Sequence, residues 1–285
     1  MALLDDHTFL RYQRQIALPE IGETGQCELN KKHVLMIGCG GLGTSVSLYL
    51  AGAGIGSMVL VDHDVVEVSN LHRQIAYRES DIGARKVRAL ASQLQNLNHG
   101  CRIRTIDKRL DDEQLQLEVM LADVVIDCSD NFPTRHQINR ICYQQKTTLV
   151  SASAIGWDGQ LSVHRFSSDT PCYRCLVGDT ANYSPKRCHE SGVLGPVVGT
   201  IAALQALQVI QQLLMDIHQR SPFIKDKATD EPSEWIHFDG RRMQLKSLRY
   251  EKDIACPVCG YAIDEDGADD FRDDKGRCNE HTDNS

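Results

Sequence analysis

The sequence predicts an α/β fold, a doubly wound and mostly parallel sheet that is extended by antiparallel strands and carries a structural zinc site. Three observations predict it. The apolar run Val34-Leu-Met-Ile37 leads straight into Gly38, Gly40, Gly41 and Gly43, strand and helix patterns then alternate, and two Cys-x-x-Cys pairs stand far apart in the second half. With 285 residues, 41% of them hydrophobic and 25% charged, the chain can bury a full core.

The elements follow in order. After the first strand and its glycine turn, Thr44 to Ala53 reads as a helix and Met58 to Val61 as an apolar strand ending at Asp62. Asp81 to Leu97 is the next helix, with Val87, Leu90, Ala91 and Leu94 at helical spacing. Arg102 to Ile106 is a strand, Asp111 to Leu121 a helix, and Val124 to Cys128 an apolar strand that stops at Ser129-Asp130. Pro133 to Gln145 gives another helix, Thr148 to Ala154 a strand, and Leu161 to Phe166 an alternating, half-exposed strand. The long apolar segment Gly192 to Leu214 is punctuated by Thr200 and four glutamines, which suits a packed helix rather than a membrane span. Trp235 to Phe238 and Gln244 to Tyr250 then read as added antiparallel strands, and the segment from Arg220 to Glu234 as a polar loop. The organisation expected is one body over residues 1–261, with a nucleotide-binding half at about 30–155 and a second half at about 156–261 that carries the zinc site, followed by a disordered acidic tail, 262–285.

That tail holds nine acids and three basic residues, so it carries −6 of the net charge of −8. The remaining body is nearly neutral and offers no electrostatic footprint for nucleic acid. Residues 1–20 contain no apolar stretch of signal-peptide length, and the 11 cysteines are an odd number, so the expectation is a cytoplasmic protein with free thiols, metal ligands or a catalytic cysteine.

Glycines 38, 40 and 43 have the spacing that lets a backbone approach phosphates at a helix N-terminus. Asp62, roughly 20 residues further on, can accept hydrogen bonds from ribose hydroxyls. This much suits an NAD-dependent oxidoreductase equally well. The following stretch adds Asn70, Arg73 and Gln74, and Lys86 joins them, giving two cations and two amides near the glycine turn. A dinucleotide's pyrophosphate is met by backbone N–H groups alone, whereas a triphosphate under attack needs added positive charge. Asp130 lies just past the apolar strand and should face the same crevice, where a carboxylate can hold Mg²⁺ on phosphate oxygens. Its structural alternative is the N-cap of the following helix.

Cys172, Cys175, Cys256 and Cys259 form the two Cys-x-x-Cys pairs, and four thiolates so arranged suit tetrahedral Zn²⁺. Roughly 80 residues separate the pairs, so the metal would clip the end of the chain onto its middle. A redox dithiol is the alternative. Cys188 stands apart beside Lys186, Arg187 and His189, cations that favour a thiolate, and is the nucleophile candidate. Cys39, Cys101, Cys128 and Cys142 lie in apolar or helical contexts and read as packing residues.

Taken together, Arg11-Tyr-Gln-Arg-Gln-Ile16, Gly38-Cys-Gly-Gly-Leu-Gly43, Ser69-Asn-Leu-His-Arg-Gln74, Lys86, Asp127-Cys-Ser-Asp-Asn131, the paired Cys-x-x-Cys motifs and Gly195-Pro-Val-Val-Gly199 resemble the ThiF/MoeB/HesA family over about residues 8–260. The resemblance implies a Rossmann-like homodimeric adenylyltransferase that uses ATP to activate the C-terminal glycine carboxylate of a ubiquitin-like sulfur carrier. It implies ribose binding by Asp62, approach of Gly41 and its neighbours to the nucleotide, phosphate contacts from Asn70, Arg73 and Lys86, a magnesium role for Asp130, and Arg14 supplied by the other subunit. Cys188 corresponds to the family's isolated cysteine, which can form an acyl disulfide with the carrier when a donor such as a cysteine desulfurase supplies sulfur. Gly195 before Pro196 and the basic approach to Cys188 look most similar to ThiF-type members, which act on a ThiS-like carrier. MoeB-type activation of the molybdopterin synthase small subunit is the alternative, and a zinc-stabilised binding module without catalysis is a reading from another class.

Overall fold

The computed structural model describes residues 4–178, 192–220 and 234–260. Two helices, α1 (Asp6–Ile16) and α2 (Gly22–Leu29), precede the alternating series β1 (His33–Ile37), α3 (Gly41–Ala53), β2 (Ser57–Val61), α4 (Lys86–Leu97), β3 (Arg102–Ile106), α5 (Asp112–Leu121), β4 (Val124–Asp127), α6 (Phe132–Gln145), β5 (Leu149–Ile155) and β6 (Asp158–His164). A short helix α7 (Tyr173–Val177), the long helix α8 (Gly195–Arg220) and the strands β7 (Glu234–Asp239) and β8 (Gln244–Arg249) follow.

All eight strands form one sheet in the order β3-β2-β1-β4-β5-β6-β7-β8. Neighbours from β3 to β5 are parallel and those from β5 to β8 antiparallel, as the sequence predicts. The central strands β1, β2 and β4 are apolar throughout because helices cover both faces. One face packs α3, α4 and α8 around Val34, Met36, Met58, Leu60, Leu161 and Ile201. The other packs α5 and α6 around Leu35, Val59, Val125 and Leu149, and also takes in Cys172, Cys256 and Cys259.

Element ends match the patterning to within a few residues, with one correction. The helix expected from Asp81 begins only at Lys86. Gly83 turns left-handed at φ +85° and donates its N–H to Val66, and Arg85 bridges to Val65, so residues 83–85 are drawn out alongside 65–66. Lys86 consequently opens the helix at its buried first turn. The segment before Val34, where the patterning predicts nothing, forms α1 and α2. Asp5 caps α1 by accepting from the Thr8 N–H at 2.8 Å, and Phe9, Tyr12 and Ile16 share one helical face, of which Tyr12 is buried.

Helix α8 includes Gly195–Met215, long and apolar enough to cross a membrane, yet half of that stretch is buried inside the protein against α3, β4, β5 and β6. The Arg220 to Glu234 loop and the acidic tail lie outside the described residues, apart from the loop's end residues.

Candidate active site

The strand order changes direction between β1 and β4, which sets the loops after these strands side by side at the carboxyl edge of the sheet. The glycine turn is built for close contact. Gly38 sits at φ +98°, and a Cβ there would meet the Cys128 carbonyl oxygen at 2.6 Å and the Ser129 nitrogen at 3.1 Å. At Gly43 a Cβ would lie 2.0 Å from the Gly38 oxygen, and at Gly41 it would lie 2.8 Å from Val198 on α8 and 3.5 Å from the Arg73 side chain. Gly40 caps α3 with no side-chain acceptor, which leaves the first-turn amides directed at the crevice.

Asp62 is tied to this turn. Its Oδ2 accepts from the Cys39 N–H at 2.7 Å and its Oδ1 from the Asp64 N–H at 2.8 Å. Asp64, which sequence reasoning passed over, in turn pairs with Lys86 Nζ at 3.0 Å. The Lys86 side chain is only 8% exposed, so its ammonium is kept inside the fold by that carboxylate. Burial pushes the Asp64 carboxyl up, but the Lys86 hydrogen bond and charge outweigh it and hold it below its ordinary value. Tyr77, also missed, donates its hydroxyl to the Cys39 carbonyl at 2.8 Å and to the Lys86 carbonyl at 3.3 Å, joining the glycine turn to the start of α4. Burial pushes the Tyr77 hydroxyl well above its ordinary range, so it remains a neutral donor.

The loop 68–74 supplies the next wall. Asn70 is buried and its Oδ1 accepts from the Glu67 N–H at 3.4 Å, so it also fixes its own turn. Arg73 donates to the Ser69 carbonyl at 3.0 Å while its stem lies along Gly41. Gln74 is 3% exposed, its Nε2 stands 3.8 Å from where a Gly40 Cβ would be, and its Oε1 is buried without a hydrogen-bond partner. A buried acceptor facing a glycine turn without a partner fits a site that gains its donors from a ligand.

Asp130 lies one residue beyond the Cys128–Ser129 peptide, against which Gly38 packs. It is exposed, and Asn131 donates to its Oδ1 at 3.3 Å. The helix-cap alternative is excluded, because Asn131 caps α6 by accepting from the Thr134 N–H at 3.0 Å. The preceding residues form a buried network whose contacts arise only on folding. Asp127 accepts from the Ser129 N–H at 2.9 Å and from the Ser129 and Ser151 hydroxyls, and lies 3.8 Å from Arg135.

Two expected residues stay apart from this group. Arg14 is exposed on α1, and α1 packs at the far end of α3, where Gln15 donates to the Ala53 carbonyl at 3.0 Å. A helix of 13 residues spans about 20 Å, so one chain does not bring Arg14 to its own glycine turn. Cys188 lies outside the described residues. Cys39, Cys101, Cys128 and Cys142 are all buried, and burial pushes each thiol up, which suits packing residues rather than nucleophiles.

The cysteines of the two Cys-x-x-Cys pairs converge. The sulfurs of Cys172, Cys175, Cys256 and Cys259 all lie within 4.8 Å of one another, with Cys172 to Cys256 at 3.7 Å and Cys175 to Cys259 at 3.3 Å. Four thiolates about 2.3 Å from a tetrahedral ion stand about 3.8 Å apart, so the set fits zinc and is too open for disulfides. Burial pushes Cys172 up to about 11, so a cation among the sulfurs would favour its thiolate. The cluster lies on the α6 side of the sheet, and Asn139 of α6 donates to Cys172 Sγ at 3.5 Å.

The ThiF family model matches residues 12–258. The Sulfur carrier protein ThiS adenylyltransferase of Escherichia coli K12 is 42% identical over 259 residues, covering 90% of this chain and 97% of its own. The Molybdopterin-synthase adenylyltransferase of Salmonella typhimurium is 36% identical over 263 residues, covering 91% of this chain and all of its own. Among solved structures, that of E. coli MccB with ATP superposes with a TM-score of 0.73 at 23% identity, covering 90% of this chain and 74% of that one, a likeness of fold. The chain belongs to the ThiF family of adenylyltransferases.

Proposed function

We propose that this chain adenylates the C-terminal glycine carboxylate of a ubiquitin-like, ThiS-type sulfur carrier, ahead of thiocarboxylate formation in thiamine thiazole synthesis in the cytoplasm. The observation that carries the reading is the glycine turn, which has Asp62 and the Asp64-held Lys86 on one side and Arg73 and Gln74 against Gly41 and Gly40. An electron-carrying dinucleotide gives no use to a cation buried this way, whereas ATP does. The carrier carboxylate oxygen attacks the α-phosphorus, the bond to the β-phosphate breaks, and pyrophosphate leaves with the electron pair. Asp62 receives the ribose hydroxyls, the α3 amides face the phosphates, and Lys86, Arg73 and Asn70 stabilise charge that builds on them. Asp130, exposed and with oxygen donors available, suits Mg²⁺, which when bound neutralises phosphate charge. Arg14 would enter from the second subunit of a homodimer, which accords with its distance from the turn of its own chain. Zinc at Cys172, Cys175, Cys256 and Cys259 is structural, and Cys188 acts after adenylation, in sulfur transfer from a donor such as a cysteine desulfurase.

A second reading, activation of the molybdopterin synthase small subunit, is favoured by the 36% identity to a relative matched over its whole length. ATP–pyrophosphate exchange with each carrier separates them. Exchange with the thiamine carrier is expected, and exchange with the molybdopterin carrier alone would overturn the ThiS assignment. Exchange with neither, in folded protein, would remove the adenylation reading.

A further inference from the structure

The network behind Asp130 centres on a buried guanidinium. Arg135 projects from the first turns of α6, is 6% exposed, and donates to the Ser129 carbonyl, to the Ala152 carbonyl at 2.8 Å and to the Ser151 hydroxyl at 3.4 Å. Asp127, 1% exposed, balances its charge. The Ser129 residue is therefore gripped on both sides, its N–H and hydroxyl by Asp127 and its carbonyl by Arg135. Gly38 packs on the preceding Cys128–Ser129 peptide. Asp130 itself has little side-chain support, so the direction of its carboxylate is set by that backbone.

Arg135 is held in turn from behind. Tyr173, 6% exposed, hydrogen-bonds the guanidinium, and its own N–H donates to Asn139 Oδ1 at 2.9 Å. Asn139 stands one helical turn after Arg135 on α6, and its amide nitrogen reaches Cys172 Sγ. Tyr173 follows Cys172 directly, so the cysteine cluster fixes where Tyr173 can stand.

We propose that Arg135 is a positioning residue for adenylation, one that orients the Ser129–Asp130 peptide toward the metal-bound triphosphate and is itself braced by Tyr173 against the cysteine cluster. The proposal rests on the reading of Asp130 as the Mg²⁺ carboxylate. A guanidinium is needed because its planar fork serves several acceptors at once, which an ammonium cannot do.

The test is isothermal titration of ATP, with and without Mg²⁺, to full-length metal-replete protein, alongside ATP–pyrophosphate exchange. Arg135→Lys is expected to bind ATP without Mg²⁺ within about threefold of the parent and to lose most of the Mg²⁺ enhancement. Its kcat should fall about 10- to 100-fold, with the carrier KM within about twofold. An undiminished Mg²⁺ enhancement, or an equal loss with and without Mg²⁺, would overturn the positioning role. If Arg135→Lys shows no cooperative melt, Tyr173→Phe takes its place, with a loss of about 3- to 10-fold expected in the Mg²⁺ enhancement and parental behaviour overturning the proposal. Asp130→Asn is run in parallel. If it keeps the Mg²⁺ enhancement, the reading of Asp130 fails and the proposal with it. If it loses the enhancement while Arg135→Lys keeps it, the proposal alone fails.

Discussion

Gly43→Ala tests whether the glycine turn has any room. The added methyl carbon would stand 2.0 Å from the Gly38 oxygen and 3.0 Å from the Gly38 carbonyl carbon, and both are backbone atoms that cannot rotate away. A carbon–oxygen contact relaxes at about 3.3 Å, so the turn or the start of α3 must move by about 1 Å. Overpacking of this kind costs about 1–3 kcal/mol, and a displacement of about 1 Å at a reacting centre costs on the order of a hundredfold in rate. At about 2–4 °C per kcal/mol for a chain of this size, the melting temperature should drop by roughly 2–12 °C. Gly52→Ala is the internal control, since Gly52 lies in the same helix and a Cβ there meets nothing within 4 Å. That change should stabilise by about 0.5–1 kcal/mol and leave exchange intact. ATP affinity, exchange rate and thermal melting of both variants decide the matter. A Gly43→Ala protein with parental ATP affinity and exchange rate would refute the close-approach argument.

Other consequences follow from buried groups. Freshly purified protein should contain one zinc per chain, and removing it with a strong chelator or by Cys259→Ser should lower the melting temperature. Zinc-free protein with unchanged melting would refute the clip. His164 is buried, with Ser162 at 3.0 Å and the Tyr250 hydroxyl at 3.2 Å, and burial lowers its pKa to about 4. Because the folded value lies below the 6.5 of the free side chain, stability from this group is full above about pH 6.5 and is lost as pH falls toward 4. Urea unfolding at pH 7.5 and pH 5 should therefore differ by about 2 kcal/mol more in the parent than in His164→Gln, and equal pH dependence would contradict the assignment. Asp127→Ala leaves the Arg135 guanidinium buried without its counter-charge and should cost about 3–5 kcal/mol by urea unfolding. Cys188→Ala should keep ATP–pyrophosphate exchange and lose sulfur transfer to the carrier; loss of exchange in folded protein would place Cys188 in the adenylation step instead.

The sheet was legible because its central strands are apolar on both faces, a pattern that survives without any knowledge of partners. The glycine turn and the paired cysteines were legible for a different reason, since each demands a residue type that nothing else replaces. What escaped was polar chemistry created by folding. Asp64 reads as one acid among several until the residue 83–85 stretch pairs with 65–66 and sets Lys86 against it. Arg135 reads as a charge on the outer face of a helix until β4 and β5 place two carbonyls and two hydroxyl-bearing residues around it. The start of α4 was missed through the same cause, because the helical periodicity of 87–94 extends back across Gly83 while the backbone is claimed by another strand-like segment.

Helix α8 shows why the second half of the chain is needed by the first. Its opening turn presses into the nucleotide wall: a Cβ on Gly195 would lie 2.5 Å from the His72 carbonyl, and Val198 covers Gly41. One turn further, Ile201 lies so near Gly159 of β6 that no side chain fits between them. Further along, Gln205 donates to the Asp127 carbonyl at 3.0 Å and to the Val150 carbonyl at 3.1 Å. A single rigid element thus touches the glycine turn, the arginine loop, the strand before Asp130 and the first antiparallel strand. The apolar character that gives this helix the look of a membrane span follows from that position, because a helix contacting so many buried elements has little surface left for charge. Helix α8 therefore ties the antiparallel strands to the loops around the glycine turn, and Gln205→Leu should weaken adenylation although Gln205 is buried against the Asp127 and Val150 carbonyls. The expected result is a lower kcat with unchanged ATP affinity, and parental kcat would refute this role for the helix.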